Sequence, residues 1–239
     1  MKSRLSYSIP STCLLVFFLM MPFSAKGQVR ADVGIDFIMG IPQADFSDQL
    51  DDLGFGIEVS GAVGLKGLPV MFGADLGVMI YGHERRYEPF SQTIPDVTVK
   101  VVTDNNIAKG HLFLRLQPDS PRFRPYADAL IGFKHLFTQT KITNDGFEEY
   151  EIARSTNFDD TTISYGMGAG LQIRVYNASE DGRDISNVYL NFGVQYLPGG
   201  EAEYLREGSI RRENGRLSFD VTRSKTTLLV PKFGVVVSL

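Results

Sequence analysis

The chain has 239 residues, a formal net charge of −4, no tryptophan and a single cysteine, Cys13. With no block of like charge, that balance argues against a nucleic-acid surface, and one cysteine excludes an internal disulfide framework. No hydrophobic run reaches the roughly 20 residues that a membrane-crossing helix requires.

At the start, Lys2 and Arg4 precede the apolar run "CLLVFFLMMPF", which is followed by Ala25 and Gly27 in an A-x-G arrangement. These are the three regions of a secretory signal peptide. The expected division is a cleaved leader over 1–27 and one domain over 28–239. Cys13 lies within the apolar run and lacks the small residue that precedes a lipidated cysteine, so cleavage leaves a domain without thiols.

From there the chain alternates. In the first strand Val33, Ile35, Phe37, Met39 and Ile41 oppose Asp32, Gly34, Asp36 and Gly40; in the second, Phe55, Ile57, Val59, Val63 and Leu65 oppose Gly56, Glu58, Ser60 and Gly64. The third, Val70 to Tyr81, sets Phe72, Leu76, Val78 and Ile80 against Gly73, Asp75 and Gly77. The fourth ends in "AKGHLFLRLQ", with Lys109, His111 and Arg115 on the polar side, and the fifth, Tyr126 to Phe137, places Asp128, Gly132 and Lys134 there. The sixth, Thr161 to Tyr176, opposes Ile163, Tyr165, Met167 and Leu171 to Ser164, three glycines, Gln172 and Arg174. The seventh runs from Asn187 to Leu197, and the eighth is "TTLLVPKFGVVVSL", with Lys232 on its polar side. Period-two alternation throughout, with no competing helical period, predicts an all-β chain.

The connections alternate as well. "KGLP", "PDSPRF" and "NASEDGRDIS" are short, whereas Gly82 to Pro95, Thr138 to Asp160 and Pro198 to Lys225 are long and polar. Short turns on one side and long loops on the other mark an up-and-down transmembrane barrel. The fold class expected is therefore all-β: an eight-stranded antiparallel up-and-down transmembrane β-barrel.

The charges decide which face is outside. Asp36, Glu58, Asp75 and Asp128, with Lys109, Arg115, Lys134, Arg174 and Lys232, all share the glycine-rich parity. Facing lipid would cost roughly 2 to 4 kcal/mol for each Arg or Lys near the midplane, and several such costs exceed a typical stability of roughly 5 to 15 kcal/mol. The apolar stripe therefore meets outer-membrane lipid. The charges, with His111 beside them, form a structural lumen network rather than an ion path, because eight strands leave no aqueous channel.

Chemical motifs are sparse. His83 precedes "ERRYE" and lacks the second histidine of a zinc helix, and His135 lies on the lipid parity near the outer end of its strand. No histidine shows a serine in a matching sequence pattern. "NASEDG" resembles the start of a calcium loop but has Val188 at position twelve, where a bidentate glutamate is needed. "GMGAG" lies within a strand and does not match a phosphate loop. No catalytic, cofactor-binding or metal-binding residue is expected, and no enzyme activity.

With its leader, its eight alternating strands and the final "KFGVVVSL", the chain resembles the small outer-membrane β-barrel family. That family includes the transmembrane domain of outer membrane protein A and the PorT-like barrels associated with type IX secretion. The resemblance implies a Gram-negative outer-membrane location and a structural or partner-binding role, with a protein or surface polysaccharide at the external loops and a link to secretion or envelope machinery. It carries over no functional residue, and where the family's last strand usually ends in an aromatic residue this chain ends in Leu239. Two alternatives stay open: a lipid-modifying enzyme with a rim histidine near a serine or carboxylate, and a soluble periplasmic lipocalin-like barrel with an apolar lumen.

Overall fold

The computed structural model describes residues 29–50, 52–65, 67–91, 94–118, 120, 122–144, 151–177, 187–213 and 216–239; the expected leader and most of "NASEDG" lie outside them. In chain order the strands are β1 (Val29–Pro42), β2 (Gly54–Leu65), β3 (Val70–Ser91), β4 (Ile94–Leu116), β5 (Phe123–Asn144), β6 (Glu151–Asn177), β7 (Asn187–Leu197), β8 (Glu201–Glu213), β9 (Arg216–Lys225) and β10 (Leu228–Ser238). Eight of them close a barrel in the order β1, β10, β7, β6, β5, β4, β3, β2, while β8 and β9 pair only with each other. Closure is made by the two chain-end strands, which run antiparallel from Asp32 opposite Ser238 to Pro42 opposite Leu228.

The parities expected from the sequence are those of the barrel. Outward-facing Phe72, Leu112, Ile131, Ile163 and Met167 are all more than 60% exposed, while Asp36, Glu58, Asp75 and Lys109 are at most 1% exposed. So continuous an apolar exterior is not tolerated in water, and closed pairing leaves no unsatisfied strand edge, which is the condition for crossing hydrocarbon with strands. The chain is an outer-membrane β-barrel. A soluble lipocalin-like barrel would need the reverse arrangement, and the enclosure of Glu58 removes that alternative.

Over their described residues the long connections are strands rather than loops. β3 and β4 continue as a ladder to Ser91 opposite Ile94, and β5 and β6 to Thr143 opposite Glu151. Above the bilayer both faces of such a hairpin meet polar surroundings or protein, so the apolar alternation fades while the backbone pairing continues. A register shift between Ile80 and Gly82 reverses the parity of β3, so that Tyr81 and Gly82 are both buried and His83 faces out, and a second lies between Thr138 and Gln139 where β5 meets β6. Both occur where the apolar exterior stops.

The third long connection makes the β8–β9 hairpin. β8 packs against the outer parts of β3, β4, β5 and β6, and β9 against the single turn of 3-10 helix, Ala44–Phe46, that follows β1. Tyr204 and Leu205 of β8 are buried with Phe46, Tyr81, Ile38, Met79 and Leu136 nearby in an apolar cluster at this end of the barrel.

Candidate functional site

Every residue expected in the lumen is buried except Arg174, which is half-buried at the short-turn end of β6, just before a register shift. The remaining nine divide into tiers. Nearest the chain ends, Arg115 Nε and Nη2 donate to the two oxygens of Asp128, both at 2.8 Å, and the guanidinium lies 4.1 Å from the Tyr126 ring centre. Arg30, which sequence reasoning did not single out, donates to Asp32 at 2.7 Å and to Gln117. The Tyr126 ring lies along the inner wall over β6 because Gly170 and Gly193, the next two residues of its cross-strand row, carry no side chains: a Cβ on Gly193 would lie 2.3 Å from the phenol oxygen.

At mid-height Glu58 accepts from two cations, Lys109 Nζ and Lys232 Nζ, the latter at 2.8 Å. Lys109 also donates to Gln195 at 2.9 Å and Asp75 at 3.5 Å, and Lys232 lies 3.6 Å from Asp36. Asn191 Nδ2 donates to the other oxygen of Asp36 at 2.8 Å. Buried charges persist only where partners offset desolvation, and here each carboxylate has two or more.

His111 completes this tier with a geometry the sequence did not reveal. Its Nδ1 lies 3.1 Å from Asp75 Oδ1 and its Nε2 2.9 Å from Ser164 Oγ. Asp75 pairs with His111, His111 with Gly132, and Gly132 with Ser164, so all four lie in one cross-strand row. Because Gly132 lacks a side chain, the imidazole reaches across β5 to the serine. The arrangement joins carboxylate, imidazole and hydroxyl in the order of a hydrolase triad, contrary to the expectation that no histidine meets a serine. His111 and Asp75 are at most 3% exposed and Ser164 is 0% exposed, however, so no substrate meets that hydroxyl in this conformation.

Above this tier Lys134 stands apart from the carboxylates. Its Nζ donates to the carbonyl of Leu197, at 2.8 Å, and to that of Thr226. These two carbonyls flank the point where the chain leaves and re-enters the wall, so the lysine ties the base of the β8–β9 hairpin to β5.

The hairpin is held over the mouth by further polar contacts. Tyr81 Oη donates to Leu205 O at 3.2 Å, Arg86 Nη1 to Ile210 O at 3.1 Å, and Glu84 Oε2 accepts from Gly208 N at 3.0 Å. Tyr204 sits edge-on to Phe46 with ring centres 5.3 Å apart, its oxygen 2.9 Å from Ser224 Oγ. Burial pushes the Tyr204 phenol above its usual range, against the smaller opposing effects of the Ser224 hydrogen bond and of Arg206.

The two outer histidines each have a partner. His83 Nδ1 lies 2.6 Å from Asp104 Oδ1, and His135 Nδ1 lies 2.8 Å from Thr161 Oγ1 and stacks on Phe137. They stand on different strands and converge on no common serine. Among the described residues no group of three His, Cys, Asp or Glu side chains is placed to hold a metal ion.

No family model matches the chain, and no curated protein does. Solved structures show similarity at low identity. Ail of Yersinia pestis, in complex with the heparin analogue sucrose octasulfate, is 12% identical over 89% of this chain and 99% of that one, with a TM-score of 0.38. Neisserial surface protein A is 13% identical over 88% and 96%, with a TM-score of 0.37. A major outer membrane protein from Thermus thermophilus is 9% identical over 87% and 99%, with a TM-score of 0.43. The sulfated ligand belongs to Ail alone, and at these identities and TM-scores no conclusion about this chain rests on the likenesses.

Proposed function

We propose that this protein is a non-conducting, non-catalytic outer-membrane barrel. On this reading its plugged lumen serves as a rigid support for outer hairpins that meet a protein partner or surface polysaccharide, as an accessory of secretion or envelope machinery. The mature domain is 28–239. One observation supports the proposal: Glu58 links Lys109 of β4 to Lys232 of β10 across the lumen at mid-height, and β8 packs on the outer parts of β3 to β6, an arrangement that on this reading stops ion flow. What the molecule offers its surroundings is then the outside, where function on such scaffolds is carried. Reconstitution in planar bilayers tests it. The wild type and a variant with 201–225 replaced by a short turn are both expected to be electrically silent, and steady ohmic conductance from the wild type would overturn the reading.

A second reading rests on Asp75, His111 and Ser164, whose bonding matches that of an activated serine nucleophile. It requires β8–β9 to leave the mouth. Labelling of Ser164 by a fluorophosphonate in the variant lacking the hairpin would support it, and absence of label there would leave the row as a hydrogen-bond chain within the plug.

A further inference from the structure

Where the apolar exterior ends, the outward face of β3 to β6 changes character row by row. The last row of the belt runs Ile80, Asn106, Phe137 and Asp159, each opposite the next. The row beyond it is His83, Asp104, Gln139 and Thr156, and the one after that Arg85, Val102, Lys141 and Arg154. Three cations thus stand in one row across four strands, a width of roughly 14 Å at about 4.8 Å between neighbours.

Their direction follows from the residues beside them. Glu84 and Arg86 bond to Gly208 and Ile210 of β8, so Arg85 between them points away from the barrel axis. Thr140 faces Thr103 and Asn157 on the inner side, at 3.0 and 2.6 Å, so Lys141 faces out. Arg85 and Arg154 are exposed. Among the described acids near this row, Asp104 is shared between His83 at 2.6 Å and Lys141 at 3.8 Å, Glu151 stands opposite Thr143 one row higher, and Asp159 lies two rows lower, in the belt edge.

We propose that this row is a lateral binding surface for phosphate-bearing headgroups of outer-leaflet lipids. It rests on the membrane placement of the barrel. Two rows above the belt correspond to about 13 Å along a strand, or roughly 10 Å in height once the strands tilt. Long Arg and Lys side chains reach back from there to the headgroup layer. The belt two rows below is covered by acyl chains, so a ligand that satisfies both levels carries an anionic head on an apolar tail. A soluble polyanion would match only the upper row.

The test uses the full mature barrel refolded into phosphatidylcholine vesicles containing a minor fraction of phosphatidic acid. Spin-labelled versions of the two lipids give their relative association constant at the protein boundary by electron spin resonance. The wild type is expected to favour phosphatidic acid, each single change among Arg85→Gln, Lys141→Gln and Arg154→Gln to lower that preference by about fivefold at low salt, and the triple variant to show none. Equal association of the two lipids with the wild type, or a preference that the triple variant keeps, would overturn the proposal. So would loss of the preference on adding inorganic phosphate at matched ionic strength, which would reveal a site for free anions. Heat-modifiable migration from pure phosphatidylcholine vesicles reports separately on the barrel: a protein that never inserts there defeats the membrane placement, and this surface with it.

Discussion

Replacing Lys109 by methionine perturbs the centre of the molecule. The side chain is 1% exposed and donates to Glu58, Gln195 and Asp75. Removing one partner of a buried ion pair costs about 3 to 5 kcal/mol, because the other charge stays in a poor dielectric. The lower end applies here, since Glu58 keeps Lys232 at 2.8 Å and Asp75 keeps His111 at 3.1 Å. About 3 kcal/mol is roughly a hundredfold change in the unfolding constant and should lower the urea midpoint by on the order of 1 M or more. The assay is urea unfolding in detergent micelles, followed by the shift between folded and boiled gel mobility. Adding Glu58→Gln to Lys109→Met removes the excess carboxylate charge that loss of the lysine leaves, so the double variant should recover part of the loss, with a coupling of about 1 to 3 kcal/mol. Strict additivity of the two substitutions, or a single-variant loss under about 0.5 kcal/mol, would refute the idea that these charges are held by each other.

Three further outcomes are expected. Ile131→Arg places a cation on the lipid face and should cost about 2 to 4 kcal/mol in phospholipid vesicles; indifference to the change would contradict the inside and outside assigned to the barrel. Gly193→Ala drives a methyl against the Tyr126 oxygen and should cost about 1 to 3 kcal/mol, and Tyr126→Phe in the same chain should return part of it, as read from the denaturant midpoint. The Tyr204 phenol, more basic folded than unfolded, contributes stability that is whole below the ordinary phenol range and is lost as pH rises through its raised pKa. Hairpin docking should therefore hold through neutral pH and weaken only in strong alkali, and a Tyr204→Phe variant followed by proteolysis of 201–225 should lose that alkaline step.

What was legible in the sequence is what hydrocarbon imposes. Val33, Ile35 and Phe37 alternate with Asp32 and Asp36 because each strand has lipid on one side and packed charge on the other, and that contrast recurs in all eight wall strands. Where the contrast ends the signal ends too: "HERRYEPF" and "EAEYLREGSIRRE" read as polar loops although their backbones form ladders. The His111 and Ser164 contact was hidden for a different reason. It depends on which residues face each other across β5, and alternation specifies a face but not a register. The cue available was Gly132, a gap on the inner side of β5, although several other inward glycines look the same in sequence. Lys134 was read only as one member of a paired-charge network, since nothing in the sequence indicates that two carbonyls at a hairpin base would accept its hydrogen bonds.

The register shifts beside Tyr81 and at Thr138 carry a consequence for how this molecule can vary. In an unbroken ladder the parity of the membrane half would continue to the hairpin tip and dictate which outer residues face the barrel axis. A bulge resets that parity where it stands. Changes in length beyond that line are confined to the outside, so the tips of β3–β4 and β5–β6 can be rewritten, by mutation or by graft, without disturbing the half of the strand that sits in the membrane.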